Sequence, residues 1–352
     1  MSIADFRSDT MTAPCAEMRA AMAGAEVGDD VWGEDPTITA LEEEAAAMLG
    51  KPAALFLPSG TMANQVAIHV HCRPGDEMIC EERSHVFFYE GGAIARLSGT
   101  QARTLPSADG FLDPQQVEAA VRDVNDAHYP RSRLLVIENT HNMAGGRVAS
   151  PGRVDRLAQV ARRHGMAVHI DGARLVNAAV ALGVAARDLV AAADTSTLCL
   201  SKGLGAPVGS LLVGSADFVR EARRARKAFG GGMRQGGVIA AAGRIALQRG
   251  PGWLAEDHRR ARELAEGLTQ LSWAYVDVAA TETNIVMAHV PSDVGMRTLE
   301  YLRSQGVMAA MAGPSRIRFV LHRDLDDEMV QRCLDVCRGA PNHVTESTSE
   351  HL

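Results

Sequence analysis

The stretch TSTLCLSKGLGAPVGSLLVG, residues 195–214, places a glycine-rich loop with one lysine, Lys202, between two short apolar runs. The runs at 195–201 and 209–214 have the length and composition of buried strands. Similar runs occur earlier, at 53–58, 77–82, 134–139 and 166–171, with segments of helical periodicity among them. Strands that alternate with helices predict an α/β fold with a mainly parallel sheet covered on both faces.

The C-terminal part of the chain has a different pattern, which predicts a smaller α+β domain. A charged amphipathic helix at 256–271 is followed by strand-like runs at 283–290 and 315–322 and by a helix at about 326–337. We therefore expect four parts: an N-terminal segment at 1–25 that packs with the small domain, a large domain at 26–250, a small domain at 251–339 and a flexible tail at 340–352.

The composition excludes several classes of protein. With 46% hydrophobic and 22% charged residues the chain is typical of a globular enzyme. A net charge of −7, with no basic block flanked by aromatic residues, argues against nucleic-acid binding, and no apolar run is long enough for a membrane span. The N-terminus lacks a signal-peptide pattern and the six cysteines are scattered, so we expect a cytoplasmic protein with reduced thiols.

Polar groups follow five of the predicted strands. In an open α/β sheet, ligands bind beyond the carboxyl ends of the strands, so these groups are the candidates for a site. They are Ser59-Gly60-Thr61, Ser84-His85, Asn139-Thr140-His141, Asp171-Gly172-Ala173-Arg174 and Ser201-Lys202-Gly203. Loops are usually polar, but loop polarity alone would not explain why five strand ends carry polar or ionisable groups of such different kinds.

Two of these groups suggest specific chemistry. Burial of Lys202 would favour its neutral amine, which forms Schiff bases with carbonyl compounds, although a lysine that snorkels at a strand end has the same local sequence. Asp171 follows a buried strand and could hold a proton on a heterocyclic nitrogen, while a plain helix cap is the alternative.

Two further groups suggest ligand contacts. Residues 59–61 precede a predicted helix, where free N–H groups favour an anion, and a simple N-cap would explain Ser59 equally well. His85 could stack on a planar cofactor and transfer a proton, or serve only as a structural donor.

Two patterns are misleading. The loop GLGAPVG at 203–209 has the wrong glycine spacing for a dinucleotide-binding loop. His69, His71 and Cys72 lie one to three positions apart on a predicted helix, where side chains diverge, so we expect no metal site there.

Several longer motifs occur together and in order. They are RSDT (7–10), VGDDVWGEDP (27–36), LFLPSGTMAN (55–64), ENTHN (138–142), HIDGARL (169–175), LSKGLGAPVGSLLVG (200–214) and KAFGGGMRQ (227–235). From about residue 5 to residue 338 the chain resembles the low-specificity L-threonine aldolases, which use pyridoxal 5'-phosphate (PLP). The resemblance implies the aspartate-aminotransferase-like PLP fold type I, with a seven-stranded, mainly parallel sheet in the large domain.

The resemblance also implies roles for single residues. For the cofactor, Lys202 would form the Schiff base with PLP, Asp171 would pair with the pyridine nitrogen, His85 would stack on the ring, and residues Ser59, Gly60 and Thr61 would hold the phosphate. For the substrate carboxylate, Arg174 and Arg318 would be the main ligands, with Ser8 as an added contact, and Arg174 would also reach the phenolic oxygen of the cofactor. His141 would lie near the β-hydroxyl, and Lys227 and Arg234 would lie near the active site of a neighbouring subunit.

The implied reaction is reversible cleavage of L-threonine, L-allo-threonine and related β-hydroxy amino acids to glycine and an aldehyde, in a homotetramer built from dimers. Either His85 or His141 could be the base. Trp32 replaces a tyrosine common in the family at a position that borders the active site, which leaves open a bulkier substrate such as L-phenylserine. Another PLP reaction, such as β-elimination, racemisation or transamination, is the nearest alternative, and a catalytically silent PLP-fold protein is a more distant one.

Overall fold

A computed structural model describes residues 3–340 of the chain. Of the predicted tail at 340–352, all but the first residue lie outside the described residues. Along residues 3–340, no helix is both long enough and apolar enough to cross a bilayer. The six cysteines are free thiols, and five of them are buried.

The strands and helices alternate through the first two thirds of the chain. The strands are β1 (Ala4–Asp5), β2 (Ala53–Leu57), β3 (Glu77–Glu81), β4 (Gln101–Leu105), β5 (Ser132–Glu138), β6 (Ala167–Asp171), β7 (Thr195–Cys199), β8 (Ser210–Gly214), β9 (Ile285–His289), β10 (Val307–Met308), β11 (Ala310–Met311) and β12 (Arg316–Val320). The helices are α1 (Ala16–Ala23), α2 (Pro36–Leu49), α3 (Gly60–His71), α4 (His85–Phe88), α5 (Ala93–Ser98), α6 (Pro114–Ala120), α7 (Pro151–Arg163), α8 (Leu175–Leu182), α9 (Ala186–Val190), α10 (Ala216–Ala228), α11 (Gly237–Leu268), α12 (Gly295–Ser304) and α13 (Asp327–Arg338).

A seven-stranded sheet in the order β2-β8-β7-β6-β5-β3-β4 forms the centre of the molecule. Strand β8 runs antiparallel to both of its neighbours, and the other neighbouring pairs are parallel. The predicted α/β class and mainly parallel sheet are therefore confirmed. Because β2 and β7 both oppose β8, strands β2, β3, β5, β6 and β7 all end at the same edge of the sheet.

Helix α2 shows how local sequence sets the element boundaries. Asp35 accepts a hydrogen bond from Ile38 N at 3.0 Å and caps the helix, Pro36 occupies the first turn, and Gly50 ends the helix with a φ of 61°. A left-handed φ of this kind is available to glycine at no steric cost, which explains the sharp stop. The buried face includes Ile38 and Leu41, as the apolar spacing predicts.

The C-terminal part forms a small antiparallel sheet, β11-β12-β9, against α11 and α13. The two halves of helix α11 belong to different apolar clusters. The first half packs with α2 and the large sheet, and the second half, from Ala261, packs with β9, β12 and α13. Phe6 belongs to the second cluster, and β1 pairs with β10. The division into domains stays a prediction, and α11 runs without a break across the boundary expected at residue 250.

Two features differ from the sequence analysis. The helix predicted at 256–271 is only the second half of α11, because Gly250, Pro251 and Gly252 indicate a break that tertiary packing overrides. Strand β4 was not predicted, since its sequence QARTL is polar and it lies at the edge of the sheet, where burial does not impose an apolar pattern.

The glycines that flank Pro251 should respond in opposite ways to alanine. A Cβ on Gly250 would lie 2.5 Å from Leu204 Cδ2, in the loop that follows Lys202, whereas a Cβ on Gly252 would meet no atom within 4 Å. Gly250→Ala should lower the free energy of unfolding by about 1–3 kcal/mol through overpacking. Gly252→Ala should raise it by about 0.5–1 kcal/mol through helix propensity. Thermal unfolding midpoints check the two signs, and equal shifts would contradict this account of the packing.

Candidate active site

The sheet edge at which β2, β3, β5, β6 and β7 end gathers the polar groups singled out in the sequence. The loop after β2 carries Ser59, the loop after β3 carries His85, and the loop after β5 carries His141. Asp171 is the last residue of β6, and Lys202 follows β7. Parallel strands bring the ends of distant segments together, so these groups meet although they are spread over much of the chain.

Asp171 is a buried carboxylate held by hydrogen bonds. Asp171 is only 1% exposed to solvent. One oxygen accepts from Ala173 N at 3.1 Å, and the other accepts from Asn64 Nδ2 at 2.9 Å. Asn64 lies on the buried face of α3, so the helix that crosses the sheet edge supplies a donor to the carboxylate. These bonds offset the cost of burying a charge.

His85 is partly exposed and is oriented by two carboxylates. Its backbone N donates to Glu138 Oε2 at 2.6 Å, and its Nδ1 lies 2.9 Å from Glu90 Oε1. Burial lowers the pKa of His85, but the hydrogen bond to Glu90 and the nearby carboxylates, including Asp171, outweigh burial and raise it. Because Nδ1–H donates to Glu90, the neutral ring presents Nε2 as a proton acceptor. Within residues 3–340, Nε2 has no hydrogen-bond partner.

Arg174 forms a two-bond ion pair with Asp9. Its Nε and Nη2 donate to the two oxygens of Asp9, each at 2.7 Å, and both residues are buried. Burial raises the pKa of Asp9, but the charge and hydrogen bonds of Arg174 outweigh this and hold it well below the usual range. The pair fixes the plane of the guanidinium and leaves Nη1 for another partner.

Arg318 completes a small anion-binding corner. Its Nη1 donates to Asn142 Oδ1 at 2.9 Å, and Nη1 of Arg174 donates to the same oxygen at 3.4 Å. Burial and the nearby Arg174 charge lower the pKa of Arg318. Its Nε is buried with no partner among the described residues. Two guanidiniums with one carboxylate, Asp9, leave an excess positive charge that suits one more carboxylate.

Ser8 lies beside this corner, between the residues that contact the two arginines. Its hydroxyl accepts from Thr10 N at 3.2 Å and caps a single turn of 3-10 helix, Asp9–Met11. Arg318 Nη2 donates to the carbonyl of Arg7 at 3.2 Å. The structure therefore brings Ser8, Arg174 and Arg318 into one neighbourhood.

Lys202 and the helix α3 supply the other functional groups. The Lys202 amine is half-buried and makes no salt bridge or hydrogen bond within residues 3–340, while its carbonyl accepts from Thr12 Oγ1 at 3.1 Å. Ser59 caps α3 by accepting from Met62 N at 3.2 Å, which confirms the capping interpretation of this residue. The first turn of α3, which contains Gly60 and Thr61, still has N–H groups without intrahelical acceptors.

His141 is placed differently from the other predicted groups. The ring is fully buried, its Nε2 lies 3.0 Å from Glu81 Oε2, and its Nδ1 accepts from Ala144 N at 3.2 Å. Burial lowers the pKa of His141, but the charges of Glu138 and Glu81 raise it overall. Both ring nitrogens therefore have partners inside the protein, and direct contact with a substrate hydroxyl would require one of these bonds to break.

Trp32, Lys227 and Arg234 lie in chain segments that adjoin one another. Trp32 is 76% exposed, and Arg234 Nη1 donates to Asp29 at 2.8 Å. A Cβ on Gly232 would lie 3.4 Å from Lys227 Cδ and 3.9 Å from Val31, which shows that the two loops adjoin. None of the three residues bonds to Lys202, Asp171 or Arg174.

His85, Glu90 and Asp171 have ligand-type atoms within 4.8 Å of one another, which is close enough for a metal ion. Asn64 Nδ2, however, donates to Glu90 as well as to Asp171, and Gln65 Nε2 donates to the other oxygen of Glu90 at 2.7 Å. Hydrogen bonds therefore account for the proximity. The absence of a metal stays a prediction.

Comparisons with known proteins agree on one family. Residues 5–291 match the beta-eliminating lyase family. The chain is 47% identical to low-specificity L-threonine aldolase 1 of Arabidopsis thaliana, with 97% of each chain covered. It is 42% identical to the low specificity L-threonine aldolase of Escherichia coli strain K12, with 93% of this chain and 96% of that protein covered. The chain belongs to the low-specificity L-threonine aldolase family.

Solved structures show the same fold as this family member. The threonine aldolase of Leishmania major superposes with a TM-score of 0.81 at 19% identity, over 96% of this chain and 99% of that one. The predicted aspartate-aminotransferase-like PLP fold type I is confirmed.

Several partners of the predicted residues in this aldolase-family chain were not predicted from the sequence. They are Asp9, Asn64, Glu81, Glu90 and Asn142. Asp9, Asn64 and Asn142 occur inside quoted motifs, and Asn64 is a polar residue on the apolar face of a helix, which is a usable signal. Glu81 and Glu90 carry no such signal.

Asp9→Asn should destabilise the protein by about 3–5 kcal/mol, because it removes one partner of a buried ion pair. A carboxylate with a depressed pKa stabilises the folded state above its unfolded pKa of ~3.9 and loses this effect only as the pH falls through the folded value. The loss should therefore be the same at pH 5.5 and pH 8, as measured by urea unfolding.

Asp5→Asn is the matched control for that experiment, because Asp5 forms a salt bridge with the more exposed Arg7 at 2.6 Å. It should cost no more than ~1 kcal/mol. If Asp9→Asn cost as little as Asp5→Asn, the buried pair would not anchor Arg174.

Proposed function

We propose that this protein uses PLP to cleave L-threonine, L-allo-threonine and related L-β-hydroxy-α-amino acids reversibly to glycine and an aldehyde, which is acetaldehyde from threonine. The observation that carries the proposal is the meeting, at one sheet edge, of the unpaired Lys202 amine, the buried Asp171 carboxylate and the Arg174–Arg318 corner. The names of the relatives support the same reaction.

The chemistry of these donors fits PLP. An amine without an ion-pair partner suits the aldehyde, a hydrogen-bonded buried carboxylate suits the ring nitrogen, and the first turn of α3 with Ser59, Gly60 and Thr61 suits a phosphate. A Cβ on Gly60 would lie 2.6 Å from Cys199 Sγ, so the turn passes close to β7 and admits no side chain at this position. His85 lies within the same network and has an exposed ring edge to place beside a planar ring.

When bound, PLP supplies a ring that accepts the electron pair left by cleavage of the Cα–Cβ bond. The Asp171 carboxylate keeps a proton on the ring nitrogen and so maintains the electron-withdrawing character of the ring. Lys202 would supply the amine that holds the aldehyde of the cofactor.

Arg174 and Arg318 orient the substrate through its carboxylate. In the described structure Asn142 Oδ1 accepts from both guanidiniums, at the place that a carboxylate would occupy. A carboxylate would replace this neutral acceptor with a charged one and would also meet the unpaired Nε of Arg318. A fixed carboxylate determines which substituent of Cα points away from the ring plane, so the clamp selects the bond that breaks.

His85 is the better candidate for the base that removes the proton of the β-hydroxyl. Glu90 holds its Nδ1 proton, so Nε2 is free to accept, directly or through a water. His141 is fully buried with both nitrogens bonded, and we assign it the role of holding the loop after β5 against Glu81. Arg174 remains the proposed contact to the phenolic oxygen of the cofactor.

We further propose that the protein is a cytoplasmic homotetramer in which Lys227 and Arg234 approach the active site of a neighbouring subunit, and that Trp32 borders the active site. The support is the adjoining position of the segments that carry these residues, and the exposure of the large Trp32 ring. The free thiols support a reducing compartment. Sedimentation analysis measures the assembly.

Borohydride reduction of the PLP-loaded protein should label Lys202. The chain contains only three lysines, Lys51, Lys202 and Lys227, so peptide mapping is unambiguous. Lys202→Ala should abolish both the label and threonine cleavage. Lys51→Ala is the control, because Lys51 donates to the Ala193 carbonyl away from the site, and it should keep both. A label on another lysine would overturn the assignment.

Variants of the two histidines should separate their roles. His85→Asn should abolish most of kcat, whereas His141→Asn should retain more of it. Because the neutral ring is the base, kcat/KM should fall as the pH drops through the raised pKa of His85. Glu90→Gln removes the partner that raises this pKa and should move the acidic limb to lower pH. Near-full activity in both histidine variants would mean that neither is the base.

A further inference from the structure

A chain of hydrogen bonds runs from His71 to Asp171, and all of its links are buried except the part-buried first one at His71. We propose that His71, Thr195 and His169 form a one-directional hydrogen-bond relay that, through Asn64, positions the Asp171 carboxylate. The relay deepens the proposed function, on which its catalytic consequence rests. Its members are positioning residues, because none except Asp171 would touch the cofactor.

The fold places these residues in one layer between α3 and the sheet. Asn64 and His71 are seven positions apart on α3, so they share a helix face. His169 and Asp171 lie two positions apart on β6, so their side chains are on the same face of the sheet. His169 is also the register partner of Thr195 on β7. His169, Thr195 and Asn64 are each at most 2% exposed.

Each link in the layer is at hydrogen-bond distance. His71 Nε2 lies 2.9 Å from Thr195 Oγ1, and Thr195 Oγ1 lies 2.9 Å from His169 Nδ1. His169 Nε2 lies 3.2 Å from Asn64 Oδ1, and Asn64 Nδ2 lies 2.9 Å from Asp171 Oδ2. The links form an unbroken path from the end of α3 to the carboxylate.

Asn64 fixes the direction of the path. Its Nδ2 contacts two carboxylates, Asp171 and Glu90, each at 2.9 Å. These acceptors require both amide hydrogens, and the reverse orientation would place an amide oxygen against two negative groups. Oδ1 must therefore accept, and its donors are His169 Nε2 and Thr197 Oγ1, each at 3.2 Å.

The tautomers of both histidines then follow. His169 carries its proton on Nε2, so its Nδ1 accepts the hydroxyl proton of Thr195. The Thr195 oxygen is left to accept from Nε2–H of His71. Burial lowers the pKa of His169 to about 3 and that of His71 to about 4, so neither ring gains a second proton near neutral pH.

Every donor in the path thus points toward Asp171. Hydrogen bonds aligned in one direction polarise one another, so the amide hydrogens of Asn64 present more positive charge to the carboxylate than an isolated asparagine would. The relay gives a reason for two neutral histidines and a threonine in a layer that apolar side chains could fill. Its expected effect is a carboxylate held in the correct direction toward the ring nitrogen of the cofactor.

The tautomers can be tested without any cofactor. Magic-angle-spinning 15N spectra of the full chain labelled at histidine should show His71 and His169 as neutral Nε2–H rings from pH 5.5 to pH 8, with assignment from the peaks lost in His71→Gln and His169→Gln. A ring of His169 that carries its proton on Nδ1, or that is doubly protonated at pH 6, would overturn the relay. This result does not depend on whether the protein cleaves threonine.

The catalytic consequence can be tested by removing one hydroxyl. Thr195→Val should lower kcat for L-threonine by about tenfold, with little change in KM, and should shift the pH titration of the visible absorbance of the PLP-loaded protein. Thr195→Ser keeps a hydroxyl at this position, so its kcat and its absorbance titration should match those of the wild type. Ser196→Ala is the matched control, because this buried hydroxyl on the same strand donates to the Thr197 carbonyl outside the relay, and it should change neither.

The possible outcomes distinguish a failure of the relay from a failure of the proposed function. Wild-type kcat and absorbance in Thr195→Val, or equal changes in Thr195→Val and Ser196→Ala, would refute the relay. If Thr195→Val does not fold, failure of Thr195→Ser to match the wild type in a folded protein would serve the same purpose. A wild-type protein that binds PLP but does not cleave threonine would refute the proposed function and leave the 15N result to decide the relay.

Discussion

A carboxylate that must remain charged inside the protein is the constraint on which the site depends. Asp171 ends a buried strand and is almost fully shielded from water, so it is stable as an anion only where donors converge on it. The donor from α3, Asn64, requires that helix to lie across the sheet edge, and the donor from Ala173 requires the tight turn after β6. The same placement of α3 directs its first turn toward the region where a phosphate would bind.

The charged corner around Arg174 and Arg318 links distant parts of the chain. Asp9 comes from the N-terminal segment, Arg174 follows β6, Asn142 follows β5, and Arg318 lies on β12 of the small sheet. Two positive groups, one negative group and one neutral acceptor leave a corner that attracts a single carboxylate. Its members lie on both sides of the division between the two apolar clusters, so any relative movement of the two parts would change the distance between the Arg174 and Arg318 guanidiniums.

The two histidines of the site illustrate how surroundings assign roles to like residues. Carboxylates raise the pKa of both His85 and His141, against the effect of burial. His85 keeps one nitrogen free at a partly exposed edge, whereas His141 uses both nitrogens inside the protein. Under the proposed function, His85 would therefore act on the substrate, and His141 would hold the loop after β5. His71 and His169 lie at the other extreme, since burial without a carboxylate partner keeps them neutral.

Only the resemblance to the family singled out Arg318, which lies inside β12. From periodicity and strand-end polarity, which are local properties, the sequence by itself predicted the α/β class and the strands that end in polar groups, among them Lys202, Asp171 and Arg174. It also carried the family motifs. The partners of these residues were decided only by the tertiary structure: Asp9 and Arg174 are 165 positions apart, and no local pattern pairs them. The continuity of α11 through Pro251, the burial of both nitrogens of His141 and the meeting of His71, Thr195 and His169 in one layer were likewise fixed by packing, since each depends on which faces of distant elements are pressed together.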